Sequence, residues 1–125
     1  MHILLDTHIY LWHVSDDELL SREAKSLILG ADSIRVSAAS LWEIAIKVKL
    51  GKLKADLERL VTEMEPSGFR ELPVTSRHAA QLTKLPLLHP DPLDRLLVAQ
   101  AMSEPLYLVT TDSQLPQYSS LAIQV

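Results

Sequence analysis

Four acids in this chain have the type and placement to do chemistry together: Asp6, Glu43, Asp94 and Asp112. Asp6 ends the apolar run Ile3-Leu4-Leu5, and Asp112 ends Tyr107-Leu108-Val109-Thr110-Thr111. Glu43 and Asp94 fall within helical, mostly apolar segments. Carboxylates gathered within a few ångströms repel one another and raise one another's pKa. A divalent cation relieves that repulsion, and hard oxygen ligands select Mg²⁺ or Mn²⁺ over zinc. The matching chemistry is phosphodiester hydrolysis, in which a metal activates water and stabilises charge on the phosphate and the leaving oxygen.

Each acid also has a plain structural explanation. Asp6 suits a turn, and Asp112 suits a turn around Ser113. Glu43 is spaced to pair with Lys47 one helical turn on. Asp91 reads as an N-cap, Pro92 as the first helical residue, and Asp94 as an acid favoured by the helix dipole. Capping alone accounts for Asp91 and Asp94. Convergence is what separates the two readings, because chance would have to place all four acids at strand ends or in the first halves of helices.

The elements that must position them follow from the pattern. Ile3–Leu5 reads as a short buried strand, followed by the apolar Ile9–His13. Ser15-Asp16-Asp17-Glu18 is a polar break and a plausible helix start. Ser21 caps a helix that stops at Gly30, and Ser33–Ser37 alternates as a strand. Ala38–Leu50 is a mostly buried helix ended by Gly51, with Leu41, Ala45 and Val48 on one face. A more polar helix spans Asp56–Glu65. Phe69–Val74 is a strand, Thr75–Leu85 a helix stopped by Pro86, and Leu93–Ser103 a helix after the His89-Pro90-Asp91-Pro92 loop. Tyr107–Asp112 and Leu121–Val125 are the last strands. Strands alternating with helices predict an α/β fold with a parallel sheet and right-handed crossovers.

With 125 residues, 47% hydrophobic and 22% charged, the chain is expected to form one domain, 1–125, with one filled core. It has no cysteine, which excludes disulfides and a thiolate zinc site. No signal peptide or bilayer-length apolar run is visible, so a cytoplasmic location is expected. A net charge of −4 and a pI near 5.7 lack the basic balance usual for nucleic-acid binders. Either the substrate is not nucleic acid, or metal ions and a local basic patch offset the acids, and the balance equally suits a basic protein partner. Lys47, Lys49, Lys52 and Lys54 form the best basic cluster. The three glycines, at 30, 51 and 68, rule out a nucleotide P-loop.

The sequence resembles the PIN-domain ribonucleases of the VapC-like toxin type. The pieces that match are Leu4-Leu5-Asp6-Thr7-His8, Ser37-Ala38-Ala39-Ser40-Leu41-Trp42-Glu43-Ile44, Asp91-Pro92-Leu93-Asp94-Arg95-Leu96-Leu97-Val98-Ala99-Gln100-Ala101 and Leu108-Val109-Thr110-Thr111-Asp112. Their order and spacing agree with the family over essentially the whole chain. The resemblance implies an α/β/α sandwich around a mainly parallel sheet. It implies a Mg²⁺- or Mn²⁺-dependent endoribonuclease with Asp6, Glu43, Asp94 and Asp112 as the acidic quartet. Asp6 and Asp94 would be direct ligands, and Glu43 and Asp112 would bind a second ion or orient water. Asp91 is an extra acid, read as the cap. The implied partners are RNA, a cognate antitoxin protein and a second copy of the chain in a homodimer.

Other classes account for less of the pattern. A zinc site would need His8, which on a continuing strand shares the face of Asp6, together with two more ligands. The histidines at 2, 8, 13, 78 and 89 show no such spacing. Thr7 would bond a carboxylate or phosphate, or simply cap a turn. Arg95 is expected at the surface, turned away from Asp94. Trp12 and Trp42 are expected in the core. A receiver-like phosphoacceptor domain has this size, but no Lys follows Asp112. A PIN fold without catalysis remains as a binding module, and the intact quartet speaks against it.

Overall fold

The computed structural model describes residues 1–125. Five strands, β1 (His2–Leu5), β2 (Ser33–Ser37), β3 (Phe69–Leu72), β4 (Tyr107–Thr110) and β5 (Ala122–Gln124), form one sheet in the order β3-β2-β1-β4-β5. Every neighbouring pair is parallel. The chain winds outward from β1 through β2 to β3, then returns to the other side of β1 for β4 and β5. That reversal opens a crevice at the carboxyl ends of β1 and β4, the place where open α/β sheets bind ligands.

Six helices cover the two faces: α1 (Thr7–Val14), α2 (Arg22–Gly30), α3 (Ala38–Lys49), α4 (Leu57–Glu63), α5 (Ser76–Leu82) and α6 (Pro92–Ser103). A short 3-10 turn, Leu115–Gln117, precedes β5. Successive strand residues face opposite sides. Ile3 and Leu5 therefore join Ile9, Tyr10, Ile28 and Ile44 in one core, while Leu4 joins Leu97, Val98 and Leu115 in the other. The result is the expected α/β/α sandwich. No helix is long and apolar enough to cross a membrane.

Local chemistry sets the boundaries. The Ser21 side chain accepts from Ala24 N–H, and Asp56 from Arg59 N–H, so each caps its helix. Gly51 takes a φ of +72° after α3, which a β-carbon would oppose. Thr75 and His78 form a reciprocal cap at the start of α5.

Several expectations require correction. Ser15–Glu18 is a turn, not a helix start: Asp16 sits at φ +52°, and the Asp17 carboxylate accepts Leu19 N–H at 2.9 Å. The strand ends at Leu5 and α1 starts at Thr7, so His8 is helical and shares no strand face with Asp6. Trp42 is 60% exposed on the outer face of α3, because Leu41 and Ile44 already fill the inward positions. Trp12 is half-buried against the first core. Arg95 is half-buried as well, with its Nε enclosed and unpartnered.

Candidate active site

Asp6 is the residue between β1 and α1, in the N-cap position. Its side chain makes no capping bond. It turns instead toward the neighbouring strand, where the buried Thr110 hydroxyl donates to Oδ2 at 2.6 Å. The turn is pinned by the backbone, with Asp6 N–H donating to the Val109 carbonyl at 3.0 Å. Thr7 does not face the crevice. It is buried, and its hydroxyl donates to Ser40 Oγ at 2.9 Å, which ties α1 to α3.

Asp112 lies two residues beyond β4. Its Oδ1 accepts Gln114 N–H at 2.8 Å, so the turn-forming role is real. Its Oδ2 lies 2.7 Å from His89 Nε2. Asp94 occupies the first turn of α6, and its Oδ2 is 3.4 Å from the same nitrogen. Asp91 caps α6 by accepting Leu93 N–H at 2.9 Å. Glu43 points in from α3 with its side chain 17% exposed, and Lys47 Nζ stands 3.5 Å away. For Asp91, Asp112 and Glu43 the structural readings hold, as a cap, a turn and a lysine pair.

All four acids, with Asp91, line one cavity of about 270 Å³. Its remaining lining residues are His8, Lys47 and Thr111, so no hydrophobic side chain contributes to its wall. Four separate segments deliver the carboxylates: the ends of β1 and β4 and the bodies of α3 and α6. The crowding shows in their acidity. Asp94 is pushed up to about 7, first by burial and then by the charges of Asp6 and Asp91; His89 opposes this and Asp112 adds to it. Burial also raises Asp6 against the lowering influence of the Thr110 hydroxyl and of His8, and Glu43 raises it further.

His89 was not singled out by sequence. It enters the cluster because the loop before α6 folds back over the segment after β4, and no local pattern signals that contact. The only hint was its position two residues before the capping acid Asp91.

A larger cavity of about 850 Å³ adjoins the acidic one and shares His8 and Lys47 with it. Trp12, Lys52, Lys54 and Arg59 are among its lining residues. Lys49, from the same basic run, is exposed outside it.

Comparison with known proteins assigns the family. The PIN domain family model matches residues 3–121. The chain belongs to the PIN-domain family. It is 31% identical over 115 residues to ribonuclease VapC22 of Mycobacterium tuberculosis, covering 90% of this chain and 88% of that protein. This places it in the VapC-like branch and sets aside the receiver-like reading. Among solved structures, VapBC2 from Rickettsia felis, bound to a promoter DNA fragment, superposes with a TM-score of 0.71 at 16% identity, covering 100% of this chain and 98% of that one. FitAcB from Neisseria gonorrhoeae gives 0.70 at 18% identity, over 98% and 96%. A toxin–antitoxin complex from Klebsiella pneumoniae gives 0.61 at 23%, over 90% and 88%. At these identities the superpositions speak for the fold.

Proposed function

We propose that this PIN-domain chain is a divalent-metal-dependent endoribonuclease, the toxin of a toxin–antitoxin pair, acting through Asp6, Glu43, Asp94 and Asp112 within a single domain. The observation that carries the reading is the convergence of these acids, from four segments, on one wholly polar cavity at the sheet's switch point. The relationship to a protein named as a ribonuclease supports the activity.

The donor set fits a hard cation. It is made of carboxylate oxygens and has no sulfur, and burial together with the charges of Asp6 and Asp91 raises Asp94 to about 7. Asp6 and Asp94 are the proposed direct ligands of Mg²⁺ or Mn²⁺; Glu43 and Asp112 hold a second ion or orient water. When bound, such an ion supplies Lewis acidity toward the phosphate and lowers the pKa of water. The chain's own residues do the rest. Thr110 fixes the Asp6 carboxylate, and Lys47 at the mouth offers a positive charge to a phosphate. The attacking water loses a proton to a carboxylate of the cluster as its oxygen bonds phosphorus, and the P–O ester bond breaks with its leaving oxygen taking up a proton from solvent.

The larger cavity, with Lys52, Lys54 and Arg59, is the proposed path for the RNA backbone toward the acids. An antitoxin partner is supported by the neighbour solved as a toxin–antitoxin complex. A homodimer and a cytoplasmic location complete the proposal.

The test is cleavage of RNA by purified protein with Mg²⁺ or Mn²⁺, with EDTA, and with Asp6→Asn in parallel. Cleavage that disappears in EDTA and in the variant is the expected result. Cleavage surviving both overturns the assignment. Absence of cleavage on any RNA offered favours a binding module.

A further inference from the structure

His89 reaches the carboxylate groups of two of the acids without being an acid itself. Its ring is 11% exposed, with Nε2 2.7 Å from Asp112 Oδ2 and 3.4 Å from Asp94 Oδ2. Three groups so disposed resemble the ligands of one ion. The other ring nitrogen argues against that arrangement. Nδ1 accepts the Asp91 backbone N–H at 3.0 Å, so it carries no proton. In the neutral ring the proton then sits on Nε2, which donates to Asp112 and has no lone pair for a cation. Ligation through Nε2 would require the other tautomer and would sacrifice the bond from Asp91.

The ring is held from behind as well. The backbone N–H groups of Leu88 and His89 donate to the Tyr118 hydroxyl at 3.0 and 2.8 Å. Tyr118 directly follows the 3-10 turn, on the same segment that carries Asp112. The loop is therefore strapped to that segment at two points, by the Tyr118 hydroxyl and by the His89 ring. Asp112 is consequently fixed at both oxygens, Oδ1 by Gln114 N–H and Oδ2 by His89.

Building on the metal-nuclease reading above, we propose that His89 is a positioning residue whose Nε2–H holds Asp112 by a hydrogen bond and keeps it beside Asp94, presetting the two carboxylates for a divalent cation, with Tyr118 anchoring the loop that carries it. This inverts the common arrangement in which a carboxylate orients a metal-bound histidine. A clasp formed before the cation arrives removes the need to order two side chains on binding.

The test measures Mn²⁺ binding by electron paramagnetic resonance on the full chain without RNA, with thermal melts in parallel. For His89→Ala the expected result is an affinity loss of about tenfold or more, the range seen when groups orienting metal ligands are removed. His89→Gln, whose amide nitrogen reaches about where Nε2 lies and donates, should recover most of it. Tyr118→Phe should lose a smaller factor. His89→Asn is too short to reach the carboxylates and should bind as weakly as the alanine variant; the Gln/Asn pair carries the test if His89→Ala does not fold. Equal affinity for Gln and Asn, or wild-type affinity in His89→Ala, overturns the clasp. Tighter binding in His89→Ala also overturns it, showing that the ring fills the place of the ion. Failure of the wild type to bind Mn²⁺ would overturn the metal site itself, which is a different result from binding that ignores His89.

Discussion

Replacing Asp94 by Asn should stabilise the metal-free protein above neutral pH while removing its affinity for metal. In the fold its carboxyl is carried from an ordinary 3.8 to about 7. Between those values the folded chain keeps a proton that the unfolded chain has lost. Stability contributed by this group therefore falls as pH rises through the interval and levels off above it. At about 1.4 kcal/mol per pKa unit the ionised form costs up to ~4 kcal/mol. The side chain is 22% exposed, and solvent screening brings a realistic figure to ~1–2 kcal/mol. Asn forfeits an acid in the first turn of α6, worth ~0.3–1 kcal/mol against the helix dipole. The net gain of about 1 kcal/mol corresponds to a melting temperature ~3–5 °C higher at pH 8 for a chain of this size. Calorimetry in EDTA should show that gain at pH 8 and its disappearance toward pH 4, where Asp94 is neutral in the fold. Saturating Mn²⁺ should reverse the order, because only the wild type is stabilised by ligand. A variant no more stable than wild type at pH 8 in EDTA would refute the claim that burial and the neighbouring acids make ionised Asp94 costly in the fold.

Three further outcomes rest on other parts of the fold. Thr110→Val removes the donor to Asp6 and the acceptor for Asp112 N–H, so urea unfolding should report a loss of ~2–3 kcal/mol; an unchanged midpoint would mean that neither bond matters. Leu4→Ala, at a fully buried site of the central strand, should cost ~2–5 kcal/mol, whereas Leu29→Ala, 90% exposed, should stay within ~0.5 kcal/mol. Lys52→Ala with Lys54→Ala should weaken RNA binding in EDTA and flatten its salt dependence by a slope of ~0.7 for each phosphate no longer neutralised; anisotropy showing an unaltered slope would remove the larger cavity from the RNA path.

The framework was legible wherever a local rule and the global fold agree. Ser21 and Asp91 cap helices as their sequence contexts predict, and the three apolar residues before Asp6 form the central strand. The acids were legible because strand ends and helix starts converge on one rim of a parallel sheet. What escaped were properties of neighbours distant in sequence. His8 was placed on a strand because nothing in Asp6-Thr7-His8 marks the abrupt start of α1. Trp42 was placed inside because hydrophobicity does not report which face of α3 is already filled. His89 was missed since its partner Asp112 is 23 positions away, on a segment whose approach depends on Tyr118.

The electrostatics of the rim show why this cluster is suited to a cation rather than merely tolerant of its charge. Asp6 and Asp94 stand at the start of α1 and in the first turn of α6, where the positive ends of helix dipoles favour acids. Each such placement offsets only ~0.3–1 kcal/mol. Lys47 is engaged with Glu43, and His89 counters just part of the rise at Asp94. Asp94 is nevertheless raised to about 7, first by burial and then by the charges of Asp6 and Asp91, with Asp112 adding to it, so the neighbouring carboxylates disfavour its ionisation beyond what burial does. The protein keeps these acids in a polar cavity whose lining contains no arginine. A site that fixes its oxygens through Thr110, Gln114 and His89 has its geometry set before any ligand arrives. The free energy released on cation binding can then come from relief of repulsion instead of being consumed in ordering side chains.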